Sequence, residues 1–250
     1  MKSFRKKLRE NQYGCIHGSI HAPYSFDESL IEAISTPDEI KAHLEQARSL
    51  TQHYSGLLTN SKQKNAIKSY TKDSYPLNHQ LWKNSPHNQD KENLFGGAGN
   101  TQRADLKEVT KHLDKALDSY RTPHDLTVWS STTHDPRVEK GSSDYVHHPA
   151  FLSTSIYKPV AMDRDINSHR DNQGDTHHHI LQIHVPKGSP GAYIDHVSHN
   201  PGEKEFLLPR GLNLRYHKTD STHKVMRDYY SNNLVKKHTH IHYLSVEPTE

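Results

Sequence analysis

The sequence is poor in cysteine and in long apolar runs, and each shortage excludes a class of protein. Cys15 is the single cysteine among 250 residues, which excludes an intrachain disulfide and a redox pair. Mean hydropathy is −0.98, and no apolar run approaches the roughly 18–20 residues of a membrane-spanning helix. The basic start also lacks the apolar stretch of a secretory signal. We therefore expect a cytoplasmic protein with no membrane partner.

The sequence also lacks a large excess of either positive or negative charge. Lysine and arginine number 32 against 29 acidic residues, which leaves a net charge of +3. The basic residues are dispersed among acids and form no stripe with interleaved aromatics, as a nucleic-acid surface would require. We do not expect nucleic acid as a direct ligand.

Histidine, in contrast, is abundant, with 23 residues. They cluster at 177–179 and alternate at His238, His240 and His242, yet neither an HExxH nor a CxxC pattern accompanies them. We interpret most of them as solvent-facing polar residues, with the alternating set on one solvated strand face. The sequence predicts no metal site.

The first half of the chain has helical periodicity. Residues 27–58 predict a helix with Ser35 or Thr36 as its cap and Pro37 in the first turn. Residues 61–82 continue as helix but must bend or divide at Pro76. Residues 84–103 have loop composition, and 104–120 return to a helical pattern.

The character changes after Pro123, where short β-branched or alternating segments are separated by turn residues. Helices followed by many short strands indicate an α+β fold rather than a parallel α/β sheet. We assign residues 1–60 to a helical N-terminal region and 61–250 to the main domain, and expect the two to form one continuous unit.

The most informative short motif is Glu203-Lys204-Glu205, which precedes the apolar run Phe206-Leu207-Leu208. In an extended segment, side chains two residues apart point the same way, so the carboxylates would share a face. Their repulsion costs free energy unless a cationic group lies between them. The pair therefore predicts a ligand.

Four segments in order carry a family resemblance: 69–78, 125–131, 151–156 and 202–211. With the Ser153-Thr154-Ser155 triplet and the Glu-x-Glu pair, the chain resembles the arginine–serine–glutamate branch of the ADP-ribosyltransferases over roughly 60–220. That branch includes bacterial toxins, vertebrate ecto-enzymes and the Alt and Mod enzymes of phages. The resemblance implies a split, mostly antiparallel two-sheet core with NAD in the cleft.

The resemblance also implies a reaction, which is transfer of ADP-ribose from NAD to an arginine of a target protein without metal. Glu205 would stabilise the positive charge that develops on the ribose, the kind of electrostatic effect that dominates many enzymes. Glu203 would position and help deprotonate the arginine. The setting would be the cytoplasm, in a host cell if the protein comes from a phage or is an exported effector.

Further positions follow from the same resemblance. Ser153 would hydrogen-bond Glu205, while Thr154 and Ser155 would shape the floor beneath the nicotinamide ribose. Tyr75, like Tyr70, would stack on the dinucleotide, although aromatic residues in helices commonly belong to the core.

One departure stands out in the first strand. The family's phosphate-binding arginine is replaced by Ser130, between Trp129 and Ser131. We expect Trp129 and Ser130 at the NAD site and Arg137 as the compensating cation. An NAD glycohydrolase and a non-catalytic binding module of the same fold remain open alternatives.

Overall fold

The structure, a computed structural model, describes residues 36–85, 103–132, 135–163, 168–227 and 234–247. The predicted loop over 84–103 and the first part of the predicted helix at 27–58 lie largely outside these ranges. The other predicted elements lie within them.

Helices make up the first part of the described chain, as predicted. Thr36 caps the first helix through a reciprocal pair of bonds, because Glu39 N–H donates to Thr36 Oγ1 at 3.3 Å and Thr36 N–H donates to Glu39 Oε2 at 2.7 Å. Pro76 divides the second helical stretch and lies in the first turn of α3. The elements are α1 Pro37–His53, a 3₁₀ turn Ser55–Leu58, α2 Ser61–Lys72, α3 Tyr75–Lys83 and α4 Arg103–Asp118.

Strands dominate after Pro123, and the predicted α+β class is confirmed. Each of the β-branched or alternating segments after Pro123 contains a strand. The short strands β2 and β4 and two short helices were not predicted. The strands are β1 Leu126–Thr132, β2 Tyr145–His148, β3 Leu152–Ser155, β4 His169–Arg170, β5 Thr176–Val185, β6 Ala192–Tyr193, β7 Glu205–Leu208, β8 Leu212–Arg227 and β9 Leu234–Val246. The short helices are α5 Pro136–Lys140 and α6 Lys158–Met162.

The strands of the described chain join in the order β2-β8-β9-β5-β1-β3-β7-β6, with β4 on β5. Every pair is antiparallel except β5 with β9. The path narrows between β1 and β3 to the single pair Trp129↔Ser155. The sheet therefore divides into two parts at this junction, in agreement with the split core that the family resemblance implies.

The helices cover the sheet through one buried apolar cluster. Leu50 and Tyr54 from the N-terminal helices, Leu117 from α4 and Phe206 from β7 are all fully buried in it. Burial of such side chains contributes roughly 1.5–3 kcal/mol each. Within the described ranges, every helix is too short or too polar to span a bilayer.

The interpretation of the alternating histidines as a solvated face is wrong for two of them. His240 is 8% exposed and His242 is fully buried. The reason is that β9 is an interior strand between β8 and β5, and its imidazoles stack on those of the neighbouring strand, at 4.8 Å between the His179 and His240 ring centres. Alternation along one strand does not reveal which neighbours cover it.

Candidate active site

The site begins at the narrow junction between the two parts of the sheet. Trp129 on β1 pairs with Ser155 on β3, and Ser155 pairs with Glu205 on β7. Residues directly opposite each other in adjacent strands project from the same face. An aromatic ring, a hydroxyl and a carboxylate therefore form one row across three strands.

A cavity of about 190 Å³ opens beside this row. Seven of the nine predicted site residues line it, and helix α3 and strand β2 contribute Asn78, Trp82 and His148 to the wall. The seven are Glu203, Glu205, Ser153, Thr154, Ser155, Trp129 and Ser130. The four sequence segments singled out by the resemblance thus meet in space.

The two glutamates share the cavity but not by the expected geometry. Strand β7 begins at Glu205, and Lys204 before it has a positive φ of 51°, so the segment is not a regular extended strand. Glu203 is 8% exposed and Glu205 is 6% exposed. Two largely buried carboxylates at the wall of one cavity attract a cationic group, because Coulomb attraction strengthens as water is excluded.

Asp195, which sequence reasoning missed, holds the turn that carries Glu203. Its Oδ1 accepts hydrogen bonds from the backbone N–H of Gly202 at 2.9 Å and of Lys204 at 2.7 Å. Its Oδ2 lies 3.5 Å from Lys204 Nζ. A left-handed residue other than glycine costs free energy, and these contacts offset that cost.

The serine–threonine triplet fixes backbone around the site. The Ser155 hydroxyl donates to the carbonyl of Glu203 at 2.7 Å. Thr154 Oγ1 donates to the carbonyl of Phe206. Ser130 on β1 donates to the carbonyl of Ser153 at 2.9 Å and thereby bridges the junction that a single strand pair spans. Short hydroxyl side chains suit this role because they reach adjacent strands without filling the cavity.

Ser153 is tied to the helical layer. Its hydroxyl lies 3.0 Å from the hydroxyl of Tyr70 on α2, and Asn78 Nδ2 donates to the same Tyr70 oxygen at 3.1 Å. Tyr70 is 1% exposed, so it is a core residue rather than a surface on which a dinucleotide stacks. The hydrogen bond between Ser153 and Glu205 stays a prediction.

Two predicted site residues lie away from the cavity wall. Tyr75 is 45% exposed and stacks on His79, with ring centres 5.7 Å apart. Arg137 in α5 forms an ion pair with Asp135 at 2.6 Å. Lys158 lies closer to the site, because its Nζ is 5.1 Å from the centre of the Trp129 ring.

Two polar side chains at the cavity wall can form hydrogen bonds with uncharged parts of a ligand. Asn78 Oδ1 is buried and accepts no hydrogen bond from the residues that the structure describes. His148, edge-on to Trp82 at 5.1 Å between ring centres, is uncharged at neutral pH, because burial lowers the pKa of its imidazole to about 4. A buried acceptor without a donor is satisfied when a ligand supplies one.

Comparison with known proteins identifies the family of the chain. The profile of a family described as ADP-ribosyltransferase exoenzyme matches residues 38–242, and the chain belongs to that family. An NAD(+)–arginine ADP-ribosyltransferase, EFV, from Enterococcus faecalis is 28% identical over 157 residues, which cover 60% of this chain. The match covers only 28% of that relative's length.

Two solved structures share the fold. Plx2a, an ADP-ribosyltransferase toxin from Paenibacillus larvae, superposes with a TM-score of 0.54 at 18% identity, over 82% of this chain and 96% of that one. C3stau2 from S. aureus, solved with NAD, gives a TM-score of 0.51 at 19% identity, over 80% and 95%. The predicted family and fold are confirmed.

Proposed function

We propose that the protein transfers ADP-ribose from NAD to the side chain of an arginine on a target protein. The observation that carries the proposal is the placement of Glu203 and Glu205, both more than nine-tenths buried, at one cavity wall beside the Ser153–Ser155 strand. Membership of the ADP-ribosyltransferase exoenzyme family and the name of the Enterococcus relative support it.

Glu205 acts on the sugar in this proposal. As the bond between the ribose and the nicotinamide nitrogen breaks, its electron pair leaves with nicotinamide and the ribose carbon gains positive charge. A carboxylate fixed at the start of β7 stabilises that charge more than it stabilises the ground state, which lowers the barrier. Ser155, its partner across the strand pair, keeps the rim of the cavity in place.

Glu203 acts on the acceptor. A guanidinium between the two carboxylates forms charge-assisted hydrogen bonds and offsets their mutual repulsion. Glu203 then accepts the proton that the guanidinium nitrogen loses as it bonds to the ribose carbon. Because Ser155 and Asp195 fix the backbone around Glu203, this carboxylate meets the acceptor without reorganising.

The cavity fits the nicotinamide end of NAD. Its volume of about 190 Å³ is below the several hundred Å³ that usually enclose a larger ligand, so the rest of the dinucleotide lies outside. Asn78 Oδ1 offers an acceptor for an amide N–H, and Trp129 offers an aromatic face at the wall. Lys158, beside Trp129, is placed to meet phosphate charge.

Incubation with labelled NAD and agmatine, a small guanidinium acceptor, tests the proposal. Product analysis follows ADP-ribosyl-agmatine and free nicotinamide separately. The Glu205→Gln variant should lose both products by about 10²–10³-fold, the usual cost of removing one stabilising group of the transition state. Glu203→Gln should lose transfer but keep measurable hydrolysis. Glu108→Gln, an exposed glutamate on α4, is the matched control and should behave as the parent.

The outcomes separate the open alternatives. Nicotinamide release without an ADP-ribosylated acceptor, in the parent as well as in Glu203→Gln, would identify a glycohydrolase. No turnover by a folded protein with a cellular lysate as the acceptor source would identify a binding module. Equal transfer by Glu203→Gln and the parent would remove Glu203 from the acceptor site.

We also propose where the target lies. The solved relative Plx2a is described as a toxin, and the substrates required, NAD and a protein arginine, are plentiful in cytoplasm. The target is therefore a cytoplasmic protein, in a host cell if the enzyme is an exported effector or comes from a phage. Labelling of a lysate with the parent and Glu205→Gln, followed by excision of bands present only with the parent, identifies it.

A further inference from the structure

We propose that Asp135, His179 and His242 bind one first-row divalent cation of the zinc type, at a site separate from the active-site cavity. One carboxylate oxygen and one nitrogen from each imidazole lie within 4.8 Å of one another. The three residues come from the N-cap of α5, from β5 and from β9. None of them lines the cavity that holds Glu203 and Glu205.

The spacing of the three donor atoms is close to that of a zinc site. His179 Nδ1 and His242 Nε2 are 2.9 Å apart and face each other. Ligand atoms around tetrahedral zinc, with Zn–N bonds of about 2.0–2.1 Å, stand about 3.3–3.4 Å apart. For all three donors to bind one ion, the two nitrogens must separate by a few tenths of an ångström and the Asp135 oxygen must move closer.

Hydrogen bonds from neighbouring residues orient two of the ligands. His242 Nδ1 lies 2.7 Å from Thr219 Oγ1, and in the tautomer in which Nδ1 donates to this hydroxyl the Nε2 lone pair faces His179. Arg137 donates to Asp135 from Nε and Nη2, at 3.0 and 2.6 Å, and so fixes the plane of the carboxylate. Such partners set the tautomer and the orientation of metal ligands. The Arg137 side chain is 45% exposed, so solvent screens its charge.

Both imidazoles are available as neutral ligands at physiological pH. Burial, together with the neighbouring His240 and His242, lowers the pKa of His179 to about 3. Burial likewise lowers the pKa of His242 to about 4, although Asp135 acts in the opposite direction. The ion replaces the proton shared between His179 and His242, and that proton moves to the other nitrogen of the His179 ring.

The adjacent pair of histidines does not offer the same site. His177 Nδ1 lies 3.0 Å from His240 Nε2, but its carboxylate neighbour, Asp171, lies 3.1 Å from His177 Nε2. The two contacts are therefore on opposite edges of one ring, and the three donors do not converge. This contrast assigns the ion to Asp135, His179 and His242.

The donor set selects the class of metal. Two imidazole nitrogens and one carboxylate oxygen suit zinc and its first-row neighbours, whereas calcium and magnesium prefer oxygen donors alone. His179 and His242 are buried while the Asp135 side chain is 20% exposed, so the site lies at the boundary between the protein interior and solvent. Bound metal would join the segment after β1 to β5 and β9.

Isothermal titration calorimetry of the metal-free, untagged protein with Zn²⁺ tests the proposal. Co²⁺ serves as a spectroscopic probe, because four-coordinate Co²⁺ absorbs in the visible range. We expect one saturable ion per chain and a higher thermal midpoint with Zn²⁺ present. Asp135→Asn should weaken Zn²⁺ binding more than about tenfold. Loss of a residue that merely hydrogen-bonds a metal ligand already lowers the affinity by about that factor, and loss of the ligand itself costs more. His242→Gln should abolish it.

His240→Gln is the matched control, since His240 is also buried and hydrogen-bonded to an imidazole but belongs to the other pair. It should retain the one-to-one binding. If His242→Gln does not fold, the Zn²⁺ affinity of Asp135→Asn is the deciding measurement. Asparagine is also a good N-cap, so this variant should keep α5 and fold. No saturable binding by the folded parent, or equal affinity in the parent and Asp135→Asn, would overturn the proposal. Loss of Zn²⁺ binding in His240→Gln, with binding retained in the other two variants, would likewise overturn it.

Discussion

Lys158 and Arg137 are both basic residues on short helices near β1, but their surroundings differ. Lys158 lies over the ring of Trp129, which lines the cavity. Arg137 is bound to Asp135 through its backbone N–H and its guanidinium. Since Ser130 cannot contribute charge where the family resemblance implies an arginine, the phosphates of NAD need a cation from elsewhere, and Lys158 is better placed than Arg137.

Replacement of each cation should distinguish them. Lys158→Gln should raise the KM for NAD about tenfold, the amount expected for loss of one charge-assisted hydrogen bond. Arg137→Gln should leave that KM within about twofold of the parent, because Arg137 contacts Asp135 rather than the cavity. Steady-state NAD kinetics with a fixed acceptor provide the comparison. A larger rise for Arg137→Gln than for Lys158→Gln would restore the sequence-based assignment of Arg137.

At the scale of elements, the turn before β7 decides where Glu203 lies. Gly202 has φ of 104°, a conformation that favours glycine, and Lys204 has φ of 51°. Asp195, 8% exposed, accepts both backbone N–H groups of this turn. The turn is thus a small unit in which one carboxylate compensates an unfavourable backbone.

Substitution of Asp195 should therefore affect both stability and catalysis. Asp195→Ala leaves two N–H groups without their acceptor and should lower the free energy of unfolding by about 2–3 kcal/mol. It should also lower kcat/KM for transfer more than tenfold, because Glu203 loses its position. Asp195→Asn keeps an oxygen acceptor and should retain most of both.

Urea denaturation and transfer kinetics on the same preparations check this prediction. A parent-like kcat/KM in folded Asp195→Ala would show that the turn keeps Glu203 in place without Asp195.

At the scale of the whole molecule, stacked imidazoles join three strands of the sheet, and a hydroxyl from a fourth strand contacts them. His169 on β4 stacks on His177 of β5, and His177 stacks on His238 of β9, with ring centres 5.2 and 4.7 Å apart. Ser221 on β8 lies 2.8 Å from His240 Nδ1. Because these rings cover one another, protonation of one ring places a charge against rings on the neighbouring strands.

The direction of the pH effect follows from linkage. Burial is the first cause that lowers the pKa of His179 to about 3 and of His240 and His242 to about 4, against 6.5 for the free group. Between about pH 6.5 and 4 the unfolded chain binds more protons than the folded one, so stability rises with pH there. Asp135 adds to the same trend only below about pH 5, because Arg137 lowers the pKa of its carboxyl from 3.8 to about 2 although burial acts in the opposite direction.

We therefore expect the free energy of unfolding, measured with a chelator present, to be level above pH 6.5 and to fall as the pH drops below it. One group contributes up to about 1.4 kcal/mol per pH unit. Removal of one titrating ring in His240→Gln should flatten the slope. Denaturant unfolding at pH 7.5, 6.5 and 5.5 measures it, and a parent slope of zero would contradict the burial of these rings.

Local patterns in the sequence predicted much of the fold. The cap at Thr36, the division at Pro76 and the strands around Trp129, Ser153 and Glu205 follow from short-range chemistry and are confirmed. The roles of the Glu203 and Glu205 pair came from family resemblance, and the structure brings both residues to the cavity. Short-range patterns missed β2 and β4, because strands of four and two residues carry too little periodicity.

The sequence by itself determined most of the element types and the α+β class, because capping and periodicity act over a few positions, and the family resemblance pointed to residues that line the cavity. Only the tertiary structure decided which distant groups meet. Asp195 under the Glu203 turn, Tyr70 on Ser153, and Asp135 with His179 and His242 are pairings that no local spacing announces. Their contacts depend on strand order and register, which set distances between residues far apart along the chain.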